Sequence, residues 1–139
     1  MGLLADMFLA ASDEEALKYD AAPDSFADRL QYKGVTELQL STLWSAILGV
    51  KWDVKSLRQF NNVFHTEGGE RLICRLPAAM LNDLAKLTPE QIFAAAVQWA
   101  ATAEMRCKPA DVLPFIEGLI AYARKSTETN QSVYLWNSV

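Results

Sequence analysis

The chain has 139 residues and a net charge of −4, and its residues are 51% hydrophobic and 22% charged. This composition excludes wholesale disorder, because so many apolar side chains can bury a core. The acidic balance and the scattered lysines and arginines argue against nucleic-acid binding, which requires a clustered basic surface. A chain of this length, with no linker-like tract, is expected to form one domain over residues 1–139.

The acidic excess is concentrated in the first thirty residues. That segment carries seven acids and two bases, whereas the remainder carries ten acids and eleven bases. The acids are Asp6, Asp13, Glu14, Glu15, Asp20, Asp24 and Asp28. Four of them closely follow Ser12 or Pro23, where the dipole of a starting helix favours acids. Asp6, Asp20 and Asp28 have no such explanation, and with Asp24 they predict a surface that binds a basic protein.

Signals for helix starts recur along the chain. Thr36 is followed three residues later by Gln39, and Thr88 by Gln91, which is the spacing of a capping box. Apolar stripes follow both signals, so helices are predicted over residues 37–48, ended by Gly49, and from residue 89 to about 106. A third long helix is predicted after Asp111.

Four shorter helices complete the predicted bundle. They run from 12 to about 19, from 23 to about 32, from 53 to about 61 and from 78 to 87. In the second of these, Asp24 and Asp28 would lie on one face as like charges, which is mildly destabilising and favours a compensating cation.

One β element is predicted around Gly68 and Gly69. These glycines separate two β-prone runs, residues 63–67 and 70–76, as in a tight hairpin. The segment Ser132–Trp136 is also β-prone and could pair beside it. The expected fold is therefore mainly α, a compact bundle of six to seven helices, either alone or with a two- or three-stranded ribbon.

The sequence predicts no catalytic residue, metal site or cofactor. His65 is the single histidine, and His65 with Glu67 lacks the P-C-x-x-C partner that a zinc deaminase requires. Neither a G-x-S-x-G turn nor a glycine-rich phosphate loop is present. Cys74 and Cys107 are expected to be reduced thiols. These observations favour a protein that is not an enzyme.

Tryptophans provide a second set of candidate binding residues. Trp44 and Trp99 lie in apolar helical stripes and are expected in the core. Trp136 lies in the β-prone tail and is expected to pack on the domain. Trp52 lies in a polar connection, where an aromatic side chain can anchor a partner.

No run approaches the roughly 20 apolar residues that cross a bilayer. The first residues also lack the positive start of a signal peptide. The expected location is therefore the cytoplasm, without a membrane contact.

The favoured functional hypothesis is a non-catalytic interaction module, such as an immunity-type inhibitor or an adaptor. Its binding residues would be Asp6, Asp20, Asp24, Asp28 and Trp52. One alternative is a small-molecule-binding or enzymatic domain with an aromatic-lined pocket near Cys74, Cys107 or His65. The other is a structural homo-oligomer.

Overall fold

A five-stranded antiparallel sheet forms the centre of the structure, a computed structural model that describes residues 3–139. The strands are β1 (Leu4–Ala10), β2 (Arg29–Lys33), β3 (Asn61–His65), β4 (Arg71–Arg75) and β5 (Ser132–Ser138). Their order in the sheet is β2-β1-β5-β4-β3. The first and last strands are therefore neighbours in the middle of the sheet, paired from Leu4↔Ser138 to Ala10↔Ser132.

Six α-helices accompany the sheet among the described residues. They are α1 (Asp13–Ala16), α2 (Glu37–Leu48), α3 (Val54–Leu57), α4 (Ala78–Ala85), α5 (Pro89–Ala100) and α6 (Pro109–Thr129). Two single 3₁₀ turns, Leu17–Tyr19 and Pro23–Ser25, follow α1. None of the helices in residues 3–139 has both the length and the apolar character needed to cross a bilayer.

The four longer helices pack on one face of the sheet and enclose the main core. Because side chains alternate along a strand, Ala5, Met7 and Leu9 of β1 face these helices, whereas Phe8 and Ala10 face the opposite side. Both sets are buried. This double burial explains why β1 is an almost continuous apolar run rather than an alternating one.

Residues 11–28, here called the strap, cover part of the opposite face. Tyr19 of the strap stacks on Phe8, with ring centroids 4.0 Å apart. Phe26 packs edge-on against both rings. Tyr134 and Trp136 of β5 complete this second cluster.

The prediction of a mainly α bundle, alone or with a two- or three-stranded ribbon, is wrong, since the structure has a five-stranded sheet and is 21% strand and 49% helix. Two strands were missed. The apolar run of β1 gave no alternation from which to assign a strand. The helix predicted from Pro23 to about Tyr32 was also wrong, because it ends after one 3₁₀ turn, where Phe26 adopts an extended backbone (φ −99°, ψ 120°), and β2 begins at Arg29.

The locally encoded elements are confirmed. Both capping boxes form, at Thr36 and Thr88, and Gly49 ends α2 in the left-handed region at φ 67°. The pairing of β3 with β4 and the strand nature of the tail are also confirmed, but residues 66–70 connect β3 and β4, in place of a two-residue turn at the glycines. Several helix ends differ: α4 stops at Ala85, α5 stops at Ala100, and α3 is a single turn that is followed by β3 from Asn61.

Trp99 joins α5 to α2, and its replacement by phenylalanine should be costly. The side chain is fully buried, and its Nε1 donates to the Gln39 carbonyl (2.9 Å) and to Thr42 Oγ1 (3.0 Å). We expect Trp99→Phe to lower the free energy of unfolding by about 2–3 kcal/mol, through the cavity left and the unpaired acceptors. Urea denaturation followed by circular dichroism measures this change.

The matched control is Trp52→Phe. Trp52 is 38% exposed, and its Nε1 donates to Ser41 Oγ at 2.9 Å. Trp52→Phe should lower the free energy of unfolding by less than about 1 kcal/mol. Equal losses for the two variants would show that Trp99 does not hold the two helices together.

Candidate functional site

Two aspartates of the strap bind side chains on β4 and β5. Asp20 Oδ1 accepts hydrogen bonds from Arg71 Nε (2.7 Å) and Trp136 Nε1 (2.9 Å). Asp13 accepts from Arg75 Nη1 at 2.8 Å and from the hydroxyl of Tyr134 at 2.7 Å. The strap is therefore held to the sheet by two ion pairs as well as by its aromatic contacts.

The other aspartates singled out by the sequence also have partners within the chain. Asp6 is buried in β1 and accepts from the hydroxyl of Tyr19 at 2.8 Å. Two more ion pairs are Asp24–Arg29 at 2.8 Å and Asp28–Lys125 at 2.5 Å. Each of the four predicted carboxylates therefore has an intramolecular role. That a basic partner binds at them stays a prediction.

Trp52 lies apart from these aspartates. It follows α2 in the helical layer, in a segment where Leu48, Val50 and Val54 are also exposed. Two small hollows, of about 240 and 120 Å³, adjoin Val50. The structure thus does not combine Trp52 and the aspartates into one surface, and binding at Trp52 stays a prediction.

Neither a disulfide nor a metal cluster is found in residues 3–139. Cys74 and Cys107 are free cysteines in the structure, Cys74 buried and Cys107 partly exposed. Within the described part of the chain, no group of three or more histidine, cysteine, aspartate or glutamate side chains is placed to hold a metal ion. His65 ends β3 and is exposed to solvent.

A cleft of about 360 Å³ lies on the helix side of β4 and β5, and we call it the Cys74 cleft. Two cross-strand residue pairs of β4 and β5 form its floor: Leu72 with Asn137, and Cys74 with Leu135. Further apolar side chains line its walls: Leu3, Leu38, Leu57 and Val139. The start of α2 contributes Thr36 and Glu37, and the β3–β4 turn contributes Glu70. Aliphatic side chains therefore line the cleft, in contrast to the aromatic lining of the alternative hypothesis.

Asn137 is the most constrained polar group of the cleft. It is only 7% exposed, and its Nδ2 donates to the carbonyls of Leu4 (3.1 Å) and Val35 (2.8 Å). These two bonds fix the orientation of the amide. Its Oδ1 accepts no hydrogen bond from residues 3–139. Since no fully buried side-chain oxygen in these residues lacks a partner, this Oδ1 is reached by solvent and can accept from another molecule.

Cys74 contributes a neutral group. It is 4% exposed, and burial together with the adjacent Glu37 carboxylate raises the pKa of its thiol far above the usual range. The thiol therefore stays protonated at neutral pH and is a poor nucleophile.

Asn137 could have been found from the sequence once β5 was assigned. Val133 and Leu135 are both core residues, and alternation places residue 137 on the same face of the strand. An asparagine in an apolar row signals a buried polar group. That assignment required knowledge of which face of β5 the helices cover.

The ion pair of Asp20 should make stability depend on pH. Burial opposes the ionisation of Asp20, but hydrogen bonds from Arg71 and Trp136 and the charge of Arg71 together lower its pKa. The ionised form therefore stabilises the fold above about pH 4, the pKa of an unfolded aspartate. This stabilisation is lost as the pH falls through the lower folded-state pKa.

We expect Asp20→Asn to reduce the free energy of unfolding by about 1 kcal/mol at pH 7, and the difference from the parent protein to shrink below pH 4. Urea denaturation at pH 7 and pH 3 measures it. Asp24→Asn is the control, because the Asp24 side chain is 91% exposed and its loss should matter little. A loss at Asp20 that is independent of pH would contradict this account.

No family model matches the chain, and no curated protein or solved structure shows a significant match to it. The function must therefore be argued from the chemistry of the site.

Proposed function

We propose that the protein binds a small, mainly apolar molecule in the Cys74 cleft, with a hydrogen-bond donor of the ligand placed against Asn137 Oδ1. The observation that carries the proposal is the buried amide of Asn137, whose donors are taken by the Leu4 and Val35 carbonyls while its acceptor is left for a ligand. Ligand sites typically combine an apolar lining with a few fixed polar groups of this kind.

The size and lining of the cleft agree with this proposal. Its volume of about 360 Å³ falls within the usual range for small-molecule sites, roughly 300–1,000 Å³. The leucines and Val139 that line it would receive a short aliphatic or alicyclic group.

The charges around the cleft restrict the polar end of the ligand. Glu37 places a carboxylate beside Cys74, Glu70 places one at the rim, where it also accepts from Thr66 Oγ1, and Asn137 adds an amide oxygen. All three are acceptors, so a hydroxyl, an amide N–H or an ammonium group suits the site. A carboxylate or phosphate would be repelled by the two glutamates.

The state of Cys74 supports binding rather than covalent chemistry. A nucleophilic cysteine requires a lowered thiol pKa, whereas the Cys74 thiol is kept neutral by burial and by Glu37. This proposal keeps the small-molecule alternative of the sequence and replaces its aromatic pocket by an aliphatic one. The interaction hypothesis has less support, because each of its four carboxylates is already paired within the chain.

Three probes of equal chain length test the proposal: hexan-1-ol, hexylammonium and hexanoate. In ¹H–¹⁵N spectra, hexan-1-ol and hexylammonium should shift the side-chain NH₂ signals of Asn137 and the backbone amide signal of Cys74. The shifts should reach a plateau as the probe concentration rises. Hexanoate should bind at least tenfold more weakly, because its carboxylate offers no donor and meets two glutamates. Equal binding of all three probes would overturn the proposed polarity of the site.

A variant that fills the cleft provides the second test. Leu72→Trp should reduce hexanol and hexylammonium binding at least tenfold, whereas Leu48→Trp, on an exposed site outside the cleft, should leave binding unchanged. Leu38→Trp serves if Leu72→Trp does not give the parent circular dichroism spectrum. Retained binding in a folded cleft-filling variant would refute the proposal.

A further inference from the structure

β2 presents a regular, unpaired edge at one side of the sheet. It pairs with β1 without interruption, from Leu4↔Lys33 to Phe8↔Arg29. The opposite outer strand, β3, is broken by a register shift between Asn62 and Phe64. A bulge disfavours the addition of another strand, whereas a regular free edge can serve as a template for one.

The register identifies which backbone groups of β2 are free. The N–H of Gly34 donates to the Leu3 carbonyl at 2.8 Å. Hydrogen-bonded and non-hydrogen-bonded pairs alternate along an antiparallel ladder, so Tyr32 and Leu30 direct their backbone groups to β1. Arg29, Gln31 and Lys33 therefore direct theirs to the outer edge of the sheet.

The side chains of the same three residues lie on the strap side of the sheet. There they border a hollow of about 400 Å³, together with Leu4, Asp6, Pro23 and Trp136. The Asp6 carboxylate in this hollow is buried and accepts from the Tyr19 hydroxyl. The other face of β2 is occupied by α6, since Tyr32 packs edge-on against Phe115 with ring centroids 4.5 Å apart. A strand added at β2 would thus direct every second side chain to the face of the sheet that holds the hollow.

The charged side chains that β2 itself presents on this face, Arg29 and Lys33, are both basic. Lys33 forms no ion pair within residues 3–139, and the partner of Arg29 is the highly exposed Asp24, which a bound carboxylate can replace. A second copy of β2, paired antiparallel about Gln31, would set Arg29 opposite Lys33. Like charges directly opposite each other are destabilising, so the edge disfavours self-association and favours an acidic strand.

We infer that β2 binds an extended acidic peptide segment as a sixth strand of the sheet. Residues opposite Arg29, Gln31 and Lys33 share one face, so the peptide carries acids four positions apart with a small apolar residue midway. The acids pair with Arg29 and Lys33, and the apolar residue covers the hollow beside Trp136. This surface lies on the other side of the sheet from the Cys74 cleft and goes beyond the proposed ligand binding.

The test uses a fluorescein-labelled peptide of sequence S-E-T-V-T-E-S with blocked ends, and a twin in which both glutamates are lysines. In fluorescence anisotropy, the acidic peptide should bind the full chain, and its affinity should fall at least fivefold between 50 and 300 mM NaCl, since salt screens exposed charges. The lysine twin should bind at least tenfold more weakly. Equal binding of the twins would overturn the inference.

Three variants separate strand addition from a simple charge effect. Gln31→Pro removes an outward N–H that β1 does not use, so the fold should persist while binding falls at least tenfold. Gln31→Thr keeps that N–H and should bind within threefold of the parent protein. Lys33→Glu should abolish binding. If Gln31→Pro folds and binds the peptide with the affinity of the parent protein, strand addition is refuted. If Gln31→Pro does not fold, an unchanged affinity of Lys33→Glu for the peptide refutes the inference.

Discussion

The pairing of β1 with β5 is the interaction on which the rest of the structure depends. Seven residue pairs join these strands in the middle of the sheet, with β2 attached to one side and β4 to the other. Each strand buries side chains on both faces, so together they connect the helical core to the aromatic cluster under the strap. The Cys74 cleft also depends on this pairing, because β5 supplies Leu135 and Asn137 to its floor.

The sequence predicted best those elements whose causes are local. Capping at Thr36 and Thr88, termination at Gly49 and the turn at Gly68 and Gly69 each depend on residues a few positions apart. The strands β1 and β2 depend instead on partners far along the chain. Met7 opposes Leu135, and no local pattern could reveal that neighbour. Tertiary pairing therefore overrode the helix expected from Pro23 onwards.

Four acidic side chains of the first thirty residues form ion pairs within the chain, although the excess of acids there predicted a surface for a partner. Their charge asymmetry indicated an electrostatic surface for a partner. The structure pairs Asp13 and Asp20 with arginines of β4, and Asp24 and Asp28 with Arg29 and Lys125. Three of these four acids are thus matched by bases outside the segment, on β4 and α6, and Asp24 is matched by Arg29 within it. Of the candidate site, only Cys74 was named from the sequence, because the burial and orientation of Asn137 follow from the sheet.

The central position of β1 and β5 also has a consequence for the motions of the protein. Amide hydrogens that bond between these two strands are released only when both sheet faces lose their cover, so their exchange with solvent should report on global unfolding. The outward amides of Gln31 and Lys33 need no such event, since nothing within residues 3–139 continues the sheet beyond β2. We therefore expect strongly protected and readily exchanged amides on two neighbouring strands, β1 and β2.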